Sequence, residues 1–171
     1  MRDRRVLVVG NQPPTPGRDL SEFIDAYDVV VRVSKCDYID SGLIGTKTDI
    51  VYLEPNVCWA MNTHQQRHRD ILSSCKDVRV KRSWYNRALD RLTAEGYVTT
   101  ETCFPVDGYD NEQYTSVAAC LDLSKREDRV DTIMNGWLAK CKKLPVVRVN
   151  LVTNRIRAFD EDAKRIVFDF N

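Results

Sequence analysis

The sequence predicts an α/β protein with a Rossmann-like, three-layer sandwich around a mostly parallel central sheet. Runs of Val and Ile at residues 5–9, 28–34 and 49–53 have the composition of parallel strands that are buried on both faces. Between the first two runs, residues 19–27 place apolar side chains on one face of a helix. A strand, a helix and a second strand form a right-handed crossover, so we expect the two strands to lie parallel in one sheet.

Later segments continue the same two periodicities. Residues 78–80 are a shorter and more polar fourth strand candidate, and residues 145–149 are another. Helical spacing of apolar residues recurs in four segments: 60–75, 83–95 before Gly96, 112–123 and 126–142.

The end of the sequence has a different pattern. Residues 155–159 and 165–170 alternate between apolar and polar side chains around a polar segment. This favours an antiparallel hairpin, with a short helix as the alternative. No repeat or linker divides residues 1–171, so we expect a single domain.

Composition excludes several classes of protein. With 26 basic and 25 acidic residues, the sequence lacks the basic excess typical of nucleic-acid or membrane-surface binding. The first apolar run, residues 6–9, is too short for a signal peptide or a membrane span. The 6 cysteines are widely spaced and form no CxxC pair, which favours reduced thiols over zinc or disulfides. We therefore expect a cytoplasmic protein.

Polar residues follow the predicted parallel strands at their carboxyl ends, where ligands bind in open α/β sheets. Gly10, Asn11 and Gln12 follow the first strand, and Ser34 follows the second. Gly10 permits a tight turn and a close approach of a ligand to the backbone. The dinucleotide fingerprint and the P-loop are both missing, which argues against an NAD enzyme or a P-loop kinase. A plain turn after a buried strand is the alternative.

Three blocks in this region resemble the large sialyl motif. They are VLVVGN at 6–11, FIDAYDVVVRVS at 23–34 and GTKTD at 45–49. The motif marks the CMP-sialic-acid-dependent sialyltransferases of the animal type and their shorter bacterial relatives. Order and spacing agree over residues 6–53, which is under a third of the sequence.

The resemblance implies a CMP-linked sugar donor, a glycan acceptor and catalysis without a metal or other cofactor. In the family, an asparagine at the position of Asn11 and another at the position of Ser34 help to bind the cytidine nucleotide. Asn11 keeps that residue, whereas the Ser34 hydroxyl cannot make the two-point contact of an amide. Arg32 matches the motif arginine and shares a strand face with Ser34, near the expected nucleotide.

The later family motifs match less well. Thr115 and Ser116 are nearest to the small sialyl motif, but they lack its flanking proline and glycine. They either contact the nucleotide or simply cap or pack a helix. The family's catalytic histidine lies late in the domain, whereas this sequence has only His64 and His68. His64 is the one candidate base. The i, i+4 spacing of His64 and His68 is better explained by a solvated helix face than by a metal site.

Other charged groups have two interpretations each. Lys35, Lys47 and Arg32 are expected near the carboxyl ends of the strands, where they would meet an anionic ligand. The acidic residues within 107–112 suit a turn before a helix better than a divalent-ion site. Residues 81–85 combine two cations with two aromatic rings, which suits a phosphate-and-stacking site or a helix start that anchors its aromatics.

The leading hypothesis is a glycosyltransferase-like protein, related to the sialyltransferases, that uses a nucleotide-sugar donor to modify a glycan. The alternative is a non-catalytic nucleotide- or sugar-binding module on the same fold. A third hypothesis is an enzyme of unrelated chemistry on a Rossmann-like sheet, because fold does not fix function. The missing late histidine leaves open whether the protein is an enzyme.

Overall fold

A sheet of five parallel strands forms the centre of the protein. The computed structural model describes residues 4–10, 14, 17, 19–33, 36, 39–53, 66–107, 121–122, 131, 147–149, 156–160 and 165–170. The five strands are β1 (Val6–Val9), β2 (Val29–Val33), β3 (Ile50–Leu53), β4 (Val78–Lys81) and β5 (Cys103–Val106). They lie side by side in chain order and run parallel, which confirms the predicted α/β class.

A sixth strand, β6 (Leu121–Asp122), pairs antiparallel with β1 on the side away from β2. The predicted helix over 112–123 is therefore wrong at its last residues, where Leu121 pairs with Val8. β1 would otherwise present a row of unpaired backbone N–H and C=O groups along that edge. Satisfying those groups outweighs the helical spacing of the local sequence.

The described part of the chain has three helices between the parallel strands, and the first and third of them are shorter than the sequence predicts. The three helices are α1 (Ser21–Asp25), α2 (Gln66–Ser74) and α3 (Tyr85–Ala94), and 3₁₀ turns occupy Ile39–Ser41 and Arg82–Trp84. The predicted stop at Gly96 is confirmed. Gly96 has a φ of 80°, its N–H donates to the Thr93 carbonyl, and the Tyr97 N–H donates to the Leu92 carbonyl. These two bonds form the Schellman ending that a left-handed glycine permits.

One face of the sheet packs against α1, α2 and α3. Residues that pair directly on neighbouring strands share a face, so Val9, Arg32 and Val51 lie together. The apolar cluster beneath α1 contains Leu7, Val9, Ile24, Tyr27, Val30 and Ile44. The cluster beneath α2 and α3 contains Val51, Leu53, Leu72, Val78, Val80, Ala88 and Leu92. Right-handed crossovers between consecutive strands place successive helices on the same face in this way.

The other face of the sheet is also buried. It carries the fully buried side chains of Val6, Val8 and Val31, together with Tyr52. Asp131 lies against this face, where it accepts hydrogen bonds from the Tyr52 hydroxyl and, at 2.9 Å, from Arg79 Nη1.

A polar cluster therefore interrupts this apolar face. Arg79 also donates to both carboxylate oxygens of Asp77 at 2.9 Å. Burial raises the pKa of Tyr52 well above its usual range, against the opposing effect of Arg79. The phenol consequently stays protonated and remains the donor to Asp131.

The tail forms a separate three-stranded antiparallel sheet. Its strands are β7 (Val147–Val149), β8 (Ile156–Asp160) and β9 (Arg165–Phe170), with β8 in the middle. The predicted hairpin is confirmed in preference to the short helix, and so is the strand candidate at 145–149 over its last three residues.

The described cysteines, Cys36, Cys75 and Cys103, are buried, and Cys75 and Cys103 carry free thiols, as expected of small apolar core residues. Within the described ranges, every helix is too short or too polar to cross a lipid bilayer.

Packing of α3 on the sheet predicts a clear difference between two leucines of that helix. Leu92 is fully buried, whereas Leu89 is partly buried at the margin of the same cluster. Leu92→Ala should lower the free energy of unfolding by about 2–5 kcal/mol, because it leaves a cavity. Leu89→Ala is the matched control and should cost distinctly less in urea titrations. Equal losses would contradict the packing described here.

Burial also predicts unreactive thiols. It raises the pKa of Cys103 to about 11, and it raises the pKa of Cys75 as well. Both thiols are therefore protonated at neutral pH, and the nucleophilic thiolate is scarce. Alkylation by iodoacetamide, followed by peptide mass spectrometry, should label both residues at least ~10-fold more slowly in the native protein than in urea. Rapid native labelling would show that the sheet opens.

Candidate functional site

The candidate site lies at the edge formed by the carboxyl ends of the parallel strands, which we call the carboxyl edge. Gly10 follows β1 and is buried, Lys81 ends β4 and is buried, and Asp107 follows β5. Among the predicted site residues, the structure describes Gly10 and Arg32. The others lie outside the described residues: Asn11, Gln12, Ser34, His64, Thr115 and Ser116.

The chain changes its direction across the sheet at β1. From β1 to β5 each new strand is added on one side, and β6 is then added on the other side of β1. Ligands in open α/β sheets bind where the strand order reverses in this way. The point of reversal lies next to Gly10, the residue from which the sequence predicted a ligand site.

Arg32, the fourth residue of β2, is unusual because its charged side chain is only 1% exposed. Its Nε donates to the Lys47 carbonyl and to Thr48 Oγ1, both at 3.1 Å. Its Nη2 donates to the Ile44 carbonyl at 3.1 Å. A buried guanidinium needs such acceptors to offset its lost hydration. These contacts tie β2 to the segment 44–48, which leads into β3.

The segment 44–48 is also bound to the end of α1. The carboxylate of Asp25 accepts hydrogen bonds from the backbone N–H groups of Thr46 at 3.3 Å and of Lys47 at 3.1 Å. Gly45 has a φ of 65°, and a Cβ at this position would lie 2.6 Å from Asp25 Cγ. Glycine is therefore required at position 45 for two reasons, the left-handed backbone and the close carboxylate.

Lys47 and Asp49 complete this arrangement. Lys47 Nζ donates to the Asp28 carbonyl at 3.1 Å, and Asp49 Oδ2 accepts from the Val30 N–H at 2.8 Å. Asp28 precedes β2 and Lys47 precedes β3, so both lie at the amino ends of their strands. The prediction that Lys47 lies near the carboxyl ends of the strands is therefore wrong, because its ammonium caps carbonyls at the opposite edge of the sheet.

These contacts form one hydrogen-bonded unit, which we call the clasp. Its members are Asp25, Arg32, Gly45, Thr46, Lys47, Thr48 and Asp49. All seven lie in the blocks at 23–34 and 45–49 that resemble the sialyl motif. The sequence held a usable signal for two of them, Asp25 and Asp49, since a carboxylate at the end of a helix or just before a strand often accepts free backbone N–H groups.

The contacts of the residues that follow β4 favour a helix start that anchors its aromatic side chains over a phosphate-and-stacking site. The Tyr85 hydroxyl donates to the Cys103 carbonyl at 3.1 Å, and the rings of Trp84 and Tyr85 pack on the core cluster beneath α3. Arg82 Nε lies 2.6 Å from Asp107 Oδ1 in an exposed ion pair. Tyr85 thus anchors the start of α3. The rest of the acidic group within 107–112 lies outside the described residues.

Comparison with known proteins adds no relative to this description. No family model, no curated protein and no solved structure matches the chain. In the part of the chain that the structure describes, no three His, Cys, Asp or Glu side chains come together as a group able to hold a metal ion.

The clasp predicts that two left-handed glycines respond differently to alanine. Gly96 has a φ of 80°, and a methyl group added there would have no atom within 4 Å, whereas one added at Gly45 would meet the Asp25 carboxylate. Gly96→Ala should cost about 1–2 kcal/mol of unfolding free energy from backbone strain alone. Gly45→Ala should cost at least about 1 kcal/mol more, since the clasp must also open.

A double-mutant cycle tests the cause of that difference. In an Asp25→Ala background the steric conflict is gone, so Gly45→Ala should cost only the backbone strain seen for Gly96→Ala. The measurement is urea unfolding of the four proteins of the cycle. Additive losses would mean that Asp25 and Gly45 do not interact.

Proposed function

We propose that the protein is a glycosyltransferase-like protein, related to the sialyltransferases, that binds a nucleotide-sugar donor at the carboxyl edge beside Gly10. The observation that carries the proposal is the pairing of β1 with β2. Two blocks of the sialyl-like sequence become adjacent parallel strands, and the third block leads into the next strand. The three blocks thus belong to one continuous structural unit.

The strand register supports a shared pocket for the two nucleotide-binding candidates. Val9 pairs with Arg32. Asn11 follows Val9 by two residues, and Ser34 follows Arg32 by two residues. The two candidates therefore leave neighbouring strands at equal distance from a paired position, and adjacent strands are about 4.8 Å apart. One nucleotide base is large enough to contact both.

The direction of β6 supports the second pair of candidates. Because β6 is antiparallel to β1, the chain enters β6 from the carboxyl edge. Ser116 precedes Leu121 by five residues, and Thr115 precedes it by six. In the sequence, both residues therefore come shortly before the chain reaches the carboxyl end of β1. We propose that their hydroxyls contact the donor together with Gly10, Asn11 and Gln12.

The three-layer arrangement and the location of the protein are part of the proposal. Burial of the second face of the sheet, with Asp131 against Tyr52, supports a layer on that face formed by the second half of the chain. The free thiols of Cys75 and Cys103 support a reducing compartment such as the cytoplasm.

The chemistry follows from the donor. An acceptor hydroxyl of a glycan would attack the anomeric carbon while the nucleotide phosphate departs, which needs a general base and stabilisation of the phosphate. Asn11 and Ser34 would hold the nucleotide, and the base is unassigned, with His64 as the candidate.

The sequence holds only two histidines, at 64 and 68, and this favours the second candidate function, a non-catalytic nucleotide- or sugar-binding module.

Binding of CMP is the first test. CMP at millimolar concentration should raise the melting temperature of the protein, because a ligand that binds only the folded state stabilises it. Asn11→Ala should abolish most of this shift without unfolding the protein. Asn86→Ala, an exposed position on α3, is the matched control and should keep the shift. Absence of any shift with CMP, CMP-sialic acid or other nucleotide sugars would sink the proposal.

Turnover separates the two candidate functions. Release of CMP from CMP-sialic acid in the presence of glycan acceptors supports the enzyme, and saturable binding without release supports the module. A His64→Ala variant that binds the donor but loses turnover would assign the base. Unchanged turnover in that variant would exclude His64 from this role.

Ser34 gives a gain-of-function test. Ser34→Asn supplies the amide that the family has at this position, so it should add one hydrogen bond to the cytosine base or ribose. One such bond is worth about 0.5–1.5 kcal/mol net, or roughly 2- to 10-fold tighter binding of CMP in calorimetry. Ser74→Asn, at the exposed end of α2, is the control and should leave the affinity unchanged. Weaker binding in Ser34→Asn would indicate a different donor nucleotide.

A further inference from the structure

We infer that Arg32 is a positioning residue of the nucleotide pocket and does not bind the ligand's phosphate itself. This inference rests on the proposed function and refines it, because the sequence alone suggested that the Arg32 cation meets the anionic ligand. The observation behind this inference is the buried guanidinium of Arg32, which lies two residues before Ser34 in the sequence. Its Nε and Nη2 both donate hydrogen bonds to the segment 44–48.

The geometry of the guanidinium explains how Arg32 positions the end of β2. Its Nε bridges the Lys47 carbonyl and Thr48 Oγ1, while Nη2 binds the Ile44 carbonyl, all at 3.1 Å. The planar fork fixes the side chain at three acceptors, which a flexible ammonium cannot reproduce. The backbone of β2 is thereby held against the clasp at the fourth of its five residues.

The clasp itself has a fixed position in the fold. Asp25 holds the N–H groups of Thr46 and Lys47, and Lys47 in turn holds the Asp28 carbonyl. The segment that receives Arg32 is therefore bound to the residues before β2 as well as to β2. A shift of the carboxyl end of β2 would have to break the bonds that Arg32 makes to this segment.

The chain after Arg32 leads directly to the proposed pocket. The N–H of Cys36 donates to the Val33 carbonyl at 3.1 Å, so the described residues on either side of positions 34 and 35 are bonded to each other. Loosening Arg32 should weaken this bond, and under the proposed function it would also weaken the contact between Ser34 and the nucleotide. A displacement of about 1 Å is enough to weaken such a contact severely.

The test compares a charged ligand with an uncharged one. Two variants weaken the fork in different places: Arg32→Lys keeps the charge, and Thr48→Val removes one acceptor with little change of shape. Both should weaken CMP and cytidine equally, by about 3- to 10-fold, because the lost element is the position of Ser34. Thr93→Val on α3 is the matched control and should leave both affinities unchanged. Calorimetry is done at a temperature at which circular dichroism shows every variant to be folded.

Two results would overturn the inference. Loss of CMP affinity with unchanged cytidine affinity in Arg32→Lys would mean that Arg32 contacts the phosphate. Unchanged affinity for both ligands, with lowered stability, would mean that the fork serves stability alone.

A measurement without ligand distinguishes failure of this inference from failure of the proposed function. In the free protein, the amide of Cys36 should exchange with solvent faster in Arg32→Lys and in Thr48→Val than in the wild type, as read by NMR. If the wild type binds no nucleotide, the proposed function fails, while faster exchange still shows that Arg32 sets the end of β2. Unchanged exchange at Cys36 would overturn the positioning role whatever the ligand.

Discussion

The buried charge of Arg32 is the constraint on which the packing of β2 against the segment before β3 depends. A guanidinium that is 1% exposed must have hydrogen-bond acceptors, because an unpaired buried charge is strongly destabilising. The carbonyls of Ile44 and Lys47 supply them, and this fixes the segment 44–48 beneath β2. The left-handed turn at Gly45 and the carboxylate of Asp25 follow from that placement, since they bind the same segment from its other side.

Local pattern was enough to predict the strands that are buried on both faces. Runs of Val and Ile give β1, β2 and β3 directly, because their composition suits no other common environment. β5 escaped prediction because its segment is short and Pro105 interrupts its pattern, although proline is acceptable in a strand at the edge of the sheet. β6 has only two residues, and it is a strand because of its partner rather than its own sequence.

The candidate site could be predicted only in part, because contacts between residues far apart in the sequence cannot be read from local pattern. Gly10 could be placed after β1 from composition alone, and alternation assigned Arg32 to a face of β2. Alternation does not say what a long side chain reaches, so the role of Arg32 in the clasp could not be read from the pattern. Lys47 was misplaced because it precedes a strand, and residues before a parallel strand lie at the edge opposite the ligand.

The clasp also changes what the family resemblance means. Its seven residues make contacts within the protein that join the end of α1, β2 and the segment before β3, so the resemblance at those positions carries little information about the ligand. Under the proposed function, ligand identity would depend instead on Asn11 and Ser34, which follow β1 and β2 in the sequence, and Ser34 differs from the asparagine of the family that the sequence resembles. Under the same proposal, a protein could keep the clasp and the sheet while the nucleotide that it binds changes, and position 34 is where we would expect that change to begin.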